Sequence, residues 1–445
     1  MSAPAAAHPN ARMRDRAGET SCLGTTASER TGCVSAPAAA RQNAEPADSS
    51  TGPRQHANAP PIGSSPPVDG ALNPPNSGRR EKFSPRTLKQ RSTCEGRSEE
   101  RAKEVDRHLG GGMSTPATRA LRALVIGESL IDVIVDGEQK NERPGGSPMN
   151  VAIGLARQGV DVAFVTDLAR DHLADQIELR LVKEGIDVYS PLRSGRTSVA
   201  IATLDARGDA HYQFDLTWSL EHTDKPENGL ADFIHFGSLA TRIQPGADHV
   251  DALVEKFRPN ALVSYDPNIR PRLDLDRADA RDRVDRHAGL ADIVKASVDD
   301  LLYLHPTHGL SSARPDDAIV DRMRHAAIDC WLASGSALVA ITDGENGVTL
   351  ATEHHRIHVP ANPVSIVDTV GAGDAYMAGL ISGIDVLGLR RQAHRDDLAA
   401  LDVSSLRRIG CWAQRTAELT IGRVGAEPPT SLELLEQREG APRVA

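Results

Sequence analysis

Aromatic side chains are almost missing from the first 112 residues of this chain. Phe83 is the only one there, and all three Trp and all five Tyr follow Met113. Long apolar runs are missing from the same stretch. A segment with nothing large to bury cannot offset the entropy of ordering itself. A core in the leader is therefore excluded, and the foldable chain is expected to begin near residue 119. The leader is rich in Ala, Pro, Ser, Gly and Arg, as in APPIGSSPPVDGALNPPNSGRREK, the texture of a solvated linker. Met113 also opens MSTPATRALRALVIGESLIDVIV, which looks like a natural start and follows Gly110-Gly111-Gly112. Residues 1–112 are thus expected either to lack a fold or to be an upstream extension of the reading frame.

Other absences narrow the class. The five cysteines (Cys22, Cys33, Cys94, Cys330 and Cys411) are odd in number and form no C-x-x-C pair. Neither a disulfide framework nor a zinc site is expected, and reduced thiols fit a cytoplasmic location. No run of about 18 apolar residues occurs, so no membrane-spanning helix is expected. The N-terminus also lacks the continuous apolar stretch of a secretory signal. The formal net charge of −10 comes with no basic stripe interleaved with aromatics, so nucleic acid is not an expected partner.

What is present begins at Leu121. Leu124 to Gly127 reads as a buried strand, Asn150 to Gln158 as a short helix stopped by Gly159, Val162 to Thr166 as a strand, and His172 to Glu184 as a helix. Short apolar runs at Phe233–Phe236, Leu262–Tyr265, Ile293–Lys295 and Leu338–Thr342 repeat the pattern. Strands alternating with helices imply an α/β fold with a mostly parallel, doubly wound sheet covered by helices on both faces. Thr197 to Phe214 instead alternates with period two around Asp205–Asp209, which reads as a β-hairpin. With Ile131–Glu138 it is expected to form a small β-sheet lid, from residues near 131–142 and 190–217. The domain is expected to span 119–429, with 430–445 as a tail.

The chemistry-bearing string is Val367-Asp368-Thr369-Val370-Gly371-Ala372-Gly373-Asp374-Ala375-Tyr376. A strand ends, three small residues follow, and an apolar helix begins near Asp374. Small residues at a helix N-terminus let backbone N–H groups face outward where the helix dipole favours anions. Charge developing on a transferring phosphoryl group needs such a pocket. Asp374 stands at its mouth, placed to accept the proton of an attacking hydroxyl. The plainer interpretation makes Asp374 a helix cap and the glycines a tight turn, which is less suited to the whole string than to a bare G-x-G.

That string resembles the C-terminal signature of the ribokinase/PfkB carbohydrate kinases. Gly145-Gly146-Ser147-Pro148-Met149-Asn150-Val151-Ala152 resembles their G-G-x-x-x-N-x-A signature, over two hundred residues upstream and in the right order. Within the family the chain looks most like bacterial fructokinases, with Gly127-Glu128-Ser129-Leu130-Ile131-Asp132 as the opening strand. The resemblance implies a ribokinase-like fold, Asp374 as base, and Gly371, Ala372 and Gly373 as the anion hole. It implies that Asp132, Gly145, Gly146 and Asn150 hold the sugar, with Arg270 near the phosphate or the sugar's distal oxygens. Ser297, Thr342, Gly344, Gly347 and Thr369 fall on the nucleotide side. Asp300 stands where the family's N-x-x-E motif reaches Mg²⁺, so contact with metal through water is expected. Asp343 departs from the basic or apolar residue common there, and is expected to point to solvent. ATP and Mg²⁺ are the implied cofactors, a small sugar the implied partner, and the lid the surface for any homodimer. Fructose is the first-choice acceptor, with 2-keto-3-deoxygluconate, a nucleoside, or a non-catalytic sugar-binding role as alternatives.

Overall fold

The structure is a computed structural model. It describes residues 122–439, except 138, 192–194, 205–209, 222–230, 275 and 306–313. The leader 1–112, the turn 205–209 and residues 440–445 of the expected tail lie outside the described residues.

Nine strands form the main sheet, in the order β13-β12-β11-β10-β9-β8-β1-β4-β5. They are β1 (Arg122–Ile126), β4 (Asp161–Val165), β5 (Asp187–Tyr189), β8 (Phe233–Gly237), β9 (Leu262–Asp266), β10 (Ile293–Ser297), β11 (Leu338–Thr342), β12 (Val348–Ala351) and β13 (Arg356–Val359). From β11 to β5 every pairing is parallel, and only β12 and β13 run antiparallel at one edge. The parallel strands are short apolar runs because both faces are covered. Along β1, Ala123 and Val125 join one buried cluster while Leu124 and Ile126 join the other, the period-two alternation of a strand between two layers. One layer includes α1 (Ser147–Arg157), α2 (His172–Lys183), α7 (Ala372–Val386) and α9 (Val403–Ile421). The other is built on α3 (Gly246–Phe257), α4 (Arg277–Ala288), α5 (Val298–Leu304) and α6 (Asp317–Ala333), around Trp331, Tyr265 and Phe236.

Strand order reverses at β1, which leads to β4 and β5 on one side and has β8 on the other. In sheets of this kind the crevice outside the carboxyl ends at the reversal is where ligands bind. Here β1 leads through Gly127–Ser129 straight into the second sheet, which has the order β3-β2-β6-β7. Its members are β2 (Leu130–Asp136), β3 (Gln139–Gly145), β6 (Val199–Leu204) and β7 (Ala210–Asp215). The expected lid is present, and β3 is an added strand, paired antiparallel with β2 along its whole length.

Two boundaries differ from expectation. Helix α1 begins at Ser147, ahead of Asn150, because Pro148 is tolerated in a first helical turn. The domain continues past Pro429, since Ser431–Glu439 form helix α10, with Leu434 and Leu435 packed on Trp412. A short helix α8 (Arg395–Ala399) precedes α9. No helix among the described residues is long and apolar enough to cross a membrane.

Candidate active site

Helix α7 starts at Gly371, which caps it at φ +77°, the left-handed region that glycine enters without strain. A Cβ there would stand 2.5 Å from the Cβ of Ala426. Asp368 holds the approach together: its Oδ1 accepts from the Val370 N–H at 3.0 Å and its Oδ2 from the Gly425 N–H at 2.8 Å. The loop is thus fixed from both sides; the N–H groups of the first turn have no helical partner by construction, and of them that of Ala372 reaches back to the Thr369 carbonyl. Asp374 follows within that turn and is buried.

Both oxygens of Asp374 are held by α1. Ser147 Oγ donates to Oδ1 at 2.6 Å and Asn150 Nδ2 donates to Oδ2 at 2.8 Å. The two signatures, 224 and more residues apart, thus meet as one hydrogen-bonded unit. Ser147 is a site residue that the sequence did not single out, although it lies within the quoted signature. Asn150, expected on the sugar, has one amide hydrogen committed to Asp374.

Asp132 sits on lid strand β2, directly opposite Arg143 of β3. A Cβ on Gly145 would fall 2.1 Å from Asp132 Oδ2, so the carboxylate rests against the bare glycine backbone. Gly146 turns at φ +112°, where a Cβ would stand 2.6 Å from the Glu128 carbonyl oxygen. Burial pushes the Asp132 carboxyl up to about 6; Arg270 pulls it down, and the charge of Asp374 pushes it further up. Those two influences put Arg270 and Asp374 within electrostatic reach of Asp132. Arg270 is exposed, with Nη1 donating to Asn268 Oδ1 at 2.7 Å. Glu128 was also unanticipated. It is buried, accepts from the Ala240 N–H at 2.9 Å, and burial raises it to about 7.

Ser297 and Asp300 form a capping box on α5. Ser297 Oγ accepts from the Asp300 N–H at 3.1 Å, and Asp300 Oδ2 accepts from the Ser297 N–H at 2.8 Å. Asp300 Oδ1 accepts from the Ile269 N–H at 2.8 Å, pinning the loop that carries Arg270. A carboxylate so occupied is a poor direct metal ligand. Among the described residues no group of three or more His, Cys, Asp or Glu could hold a metal ion. Asp300 therefore fits contact with magnesium through water rather than direct ligation. Asp300→Ala is expected to lower folding stability by about 1–3 kcal/mol, since three donors lose their acceptor. Urea unfolding measures it, and unchanged stability would release Asp300 from this structural role.

Thr342, Gly344 and Gly347 gather one strand further along, with Thr342 in register with Ser297. Asp343 N–H donates to the Gly347 carbonyl at 2.8 Å and closes the turn. Thr369 lies exposed on the approach to α7, its carbonyl accepting from the Ala372 N–H at 3.3 Å. Asp343 does not point to solvent. It is 8% exposed and accepts from Arg314 Nη2 at 2.7 Å and Arg324 Nη2 at 2.9 Å, which neutralise it where it stands.

Comparison with known proteins agrees with this geometry. Residues 121–431 match the pfkB family carbohydrate kinases. The fructokinase of Klebsiella pneumoniae is 34% identical over 285 residues, 62% of this chain and 87% of that protein. Fructokinase-1 of rice (Oryza sativa subsp. japonica) is 30% identical over 344 residues, 73% of this chain and all of that protein. The crystal structure of Vibrio cholerae O395 fructokinase, with fructose, ADP and calcium bound, has a TM-score of 0.57 and 25% identity. It covers 71% of this chain and 98% of its own. A doubly wound sheet with a β-lid, and a buried carboxylate at a small-residue helix start, thus belong to a sugar kinase. The chain is a member of the pfkB family of carbohydrate kinases.

Proposed function

We propose that this chain transfers the γ-phosphoryl group of ATP to a hydroxyl of fructose. The carrying observation is the Asp374 carboxylate, buried at the first turn of α7 and oriented by Ser147 and Asn150. The sugar hydroxyl gives its proton to Asp374 as its oxygen attacks the phosphorus in line, and ADP departs with the bond's electrons. Gly371, Ala372 and Gly373 receive the charge on the phosphoryl oxygens. Asp132, against Gly145 and Gly146, accepts from sugar hydroxyls, because a carboxylate can bond two vicinal ones. Arg270, whose charge lowers the Asp132 carboxyl, is assigned to the phosphate or the sugar's distal oxygens. Thr342, Gly344, Gly347, Ser297 and Thr369 are assigned to the nucleotide side. Magnesium bound to ATP would neutralise its phosphates, with Asp300 assigned to reach the ion through water.

The fructokinase names of the curated relatives, at 30–34% identity, favour fructose over 2-keto-3-deoxygluconate or a nucleoside. A coupled ADP-release screen over sugars and nucleosides tests the assignment. Fructose should give the highest kcat/KM, and a tenfold better nucleoside or keto-acid acceptor would overturn it. Flat signal throughout would favour a sugar-binding role without turnover.

We also assign activity to the domain that begins near residue 119, in the cytoplasm. Deleting residues 1–112 is expected to leave melting temperature and kinase activity nearly unchanged, because that stretch holds one aromatic and little else to bury. A loss of many degrees in a thermal melt of the truncated protein would contradict this.

A further inference from the structure

Lys295 is the central residue of β10, in the middle of the sheet, and is 4% exposed. A lysine in that position gives up the hydration of its charge unless a partner replaces it. The partner is Asp266, the last residue of neighbouring β9 and 1% exposed, whose Oδ2 accepts from Lys295 Nζ at 2.5 Å. The other Asp266 oxygen, Oδ1, is buried without a hydrogen-bond partner. The ammonium is therefore the direct compensation of that carboxylate. Burial pushes Lys295 down, but Asp266, aided by Asp300 and Asp374, outweighs it and holds the lysine charged.

The ammonium also touches the reacting end of the fold. A Cβ built on Gly373 would lie 3.0 Å from Lys295 Nζ, so the amine is packed against the middle of the anion-hole loop. Asp266 takes one of its three N–H bonds. A buried ion pair is a weak source of stability, often matched by apolar residues of similar volume. One built from adjoining strands and aimed at Gly373 needs another reason.

We infer that Lys295 is a positioning residue for phosphoryl transfer, its ammonium held by Asp266 against Gly373 so that a fixed positive charge backs the Gly371–Gly373 loop. This rests on the kinase reading above. The loop's N–H groups then meet the phosphoryl oxygens in a field already positive, with no reorganisation at the moment of transfer. Asp374, from the same turn of α7, takes the hydroxyl proton. Asp266 has no part in the proton transfer, and its function is to keep the lysine charged and in place.

The single variant Lys295→Met would strand the Asp266 charge and is open to misfolding. The test is therefore the charge-neutral double variant, Asp266→Asn with Lys295→Met, which removes both ions together. Its melting temperature should stay within a few degrees of wild type. With magnesium and fructose its kcat should fall by about 10²-fold, the size of effect seen when one oxyanion donor is lost, and KM for fructose should move less than threefold. A second readout needs neither acceptor nor turnover. By calorimetry, the β,γ-imido analogue of ATP should bind the double variant about tenfold more weakly, with ADP binding unchanged within threefold. Unchanged kcat together with unchanged preference for the triphosphate analogue over ADP would overturn the inference. If wild type ignores fructose yet the double variant still loses that preference, the fructose assignment falls and the role of Lys295 stands.

Discussion

Asp374→Asn is expected to fold normally, bind ATP with little change, and lose about 10²–10⁴-fold in kcat, the range for a missing general base. Folding should survive because the substitution keeps the volume and leaves an oxygen for Ser147 Oγ, which now donates at 2.6 Å. Asn150 loses its charged acceptor at 2.8 Å, a local change at the end of α1. The loss should therefore appear in kcat, while KM for ATP moves by no more than a few-fold. Steady-state kinetics alongside a thermal melt separates the two effects. Near-normal turnover in a well-folded variant would remove Asp374 from the mechanism.

The second large effect belongs to the lid. Asp132→Ala should raise KM for fructose by roughly ten- to a few hundred-fold while KM for ATP stays within a few-fold. A carboxylate that pairs with sugar hydroxyls leaves them unsatisfied when removed, at about 1–3 kcal/mol or more where charge is involved. The same carboxyl predicts a pH signature. With its value pushed up to about 6, Asp132 is protonated below that pH and gives up part of its accepting capacity. In wild type, kcat/KM for fructose should fall as pH drops through about 6, and Asp132→Asn should flatten that limb. An unchanged fructose KM in Asp132→Ala would place the sugar elsewhere.

Much of this architecture was legible because its signals are local. The apolar runs of β1, β8, β9 and β11 and the small-residue start of α7 are each set by a few adjacent residues. Strand β3 was harder to see. Gln139–Arg143 is polar throughout, and the strand character of Gln139–Gly145 comes from pairing with β2 rather than from its own pattern. The antiparallel pair β12 and β13 is four residues a strand, too short to show a period. Long-range partners explain the remaining misses. Asp343 looked like a solvent residue because Arg314 and Arg324 lie 29 and 19 residues before it. Lys295 passed for one residue of an apolar strand, since its partner Asp266 is 29 residues earlier. Asp300 also caps its own helix, a role that its place in the motif did not announce. A motif names the residues that one turn brings together, whereas a buried charge is explained only by what another strand sets beside it.

The central claim is that the phosphoryl group passes to a sugar hydroxyl activated by Asp374, and not to water. Phosphorus NMR of wild type with magnesium, ATP and fructose tests this most directly. A phosphomonoester resonance should grow in step with ADP, and the same mixture with Asp374→Asn should stay nearly unchanged over that time. Inorganic phosphate in place of a sugar phosphate, or equal product from both proteins, would contradict it.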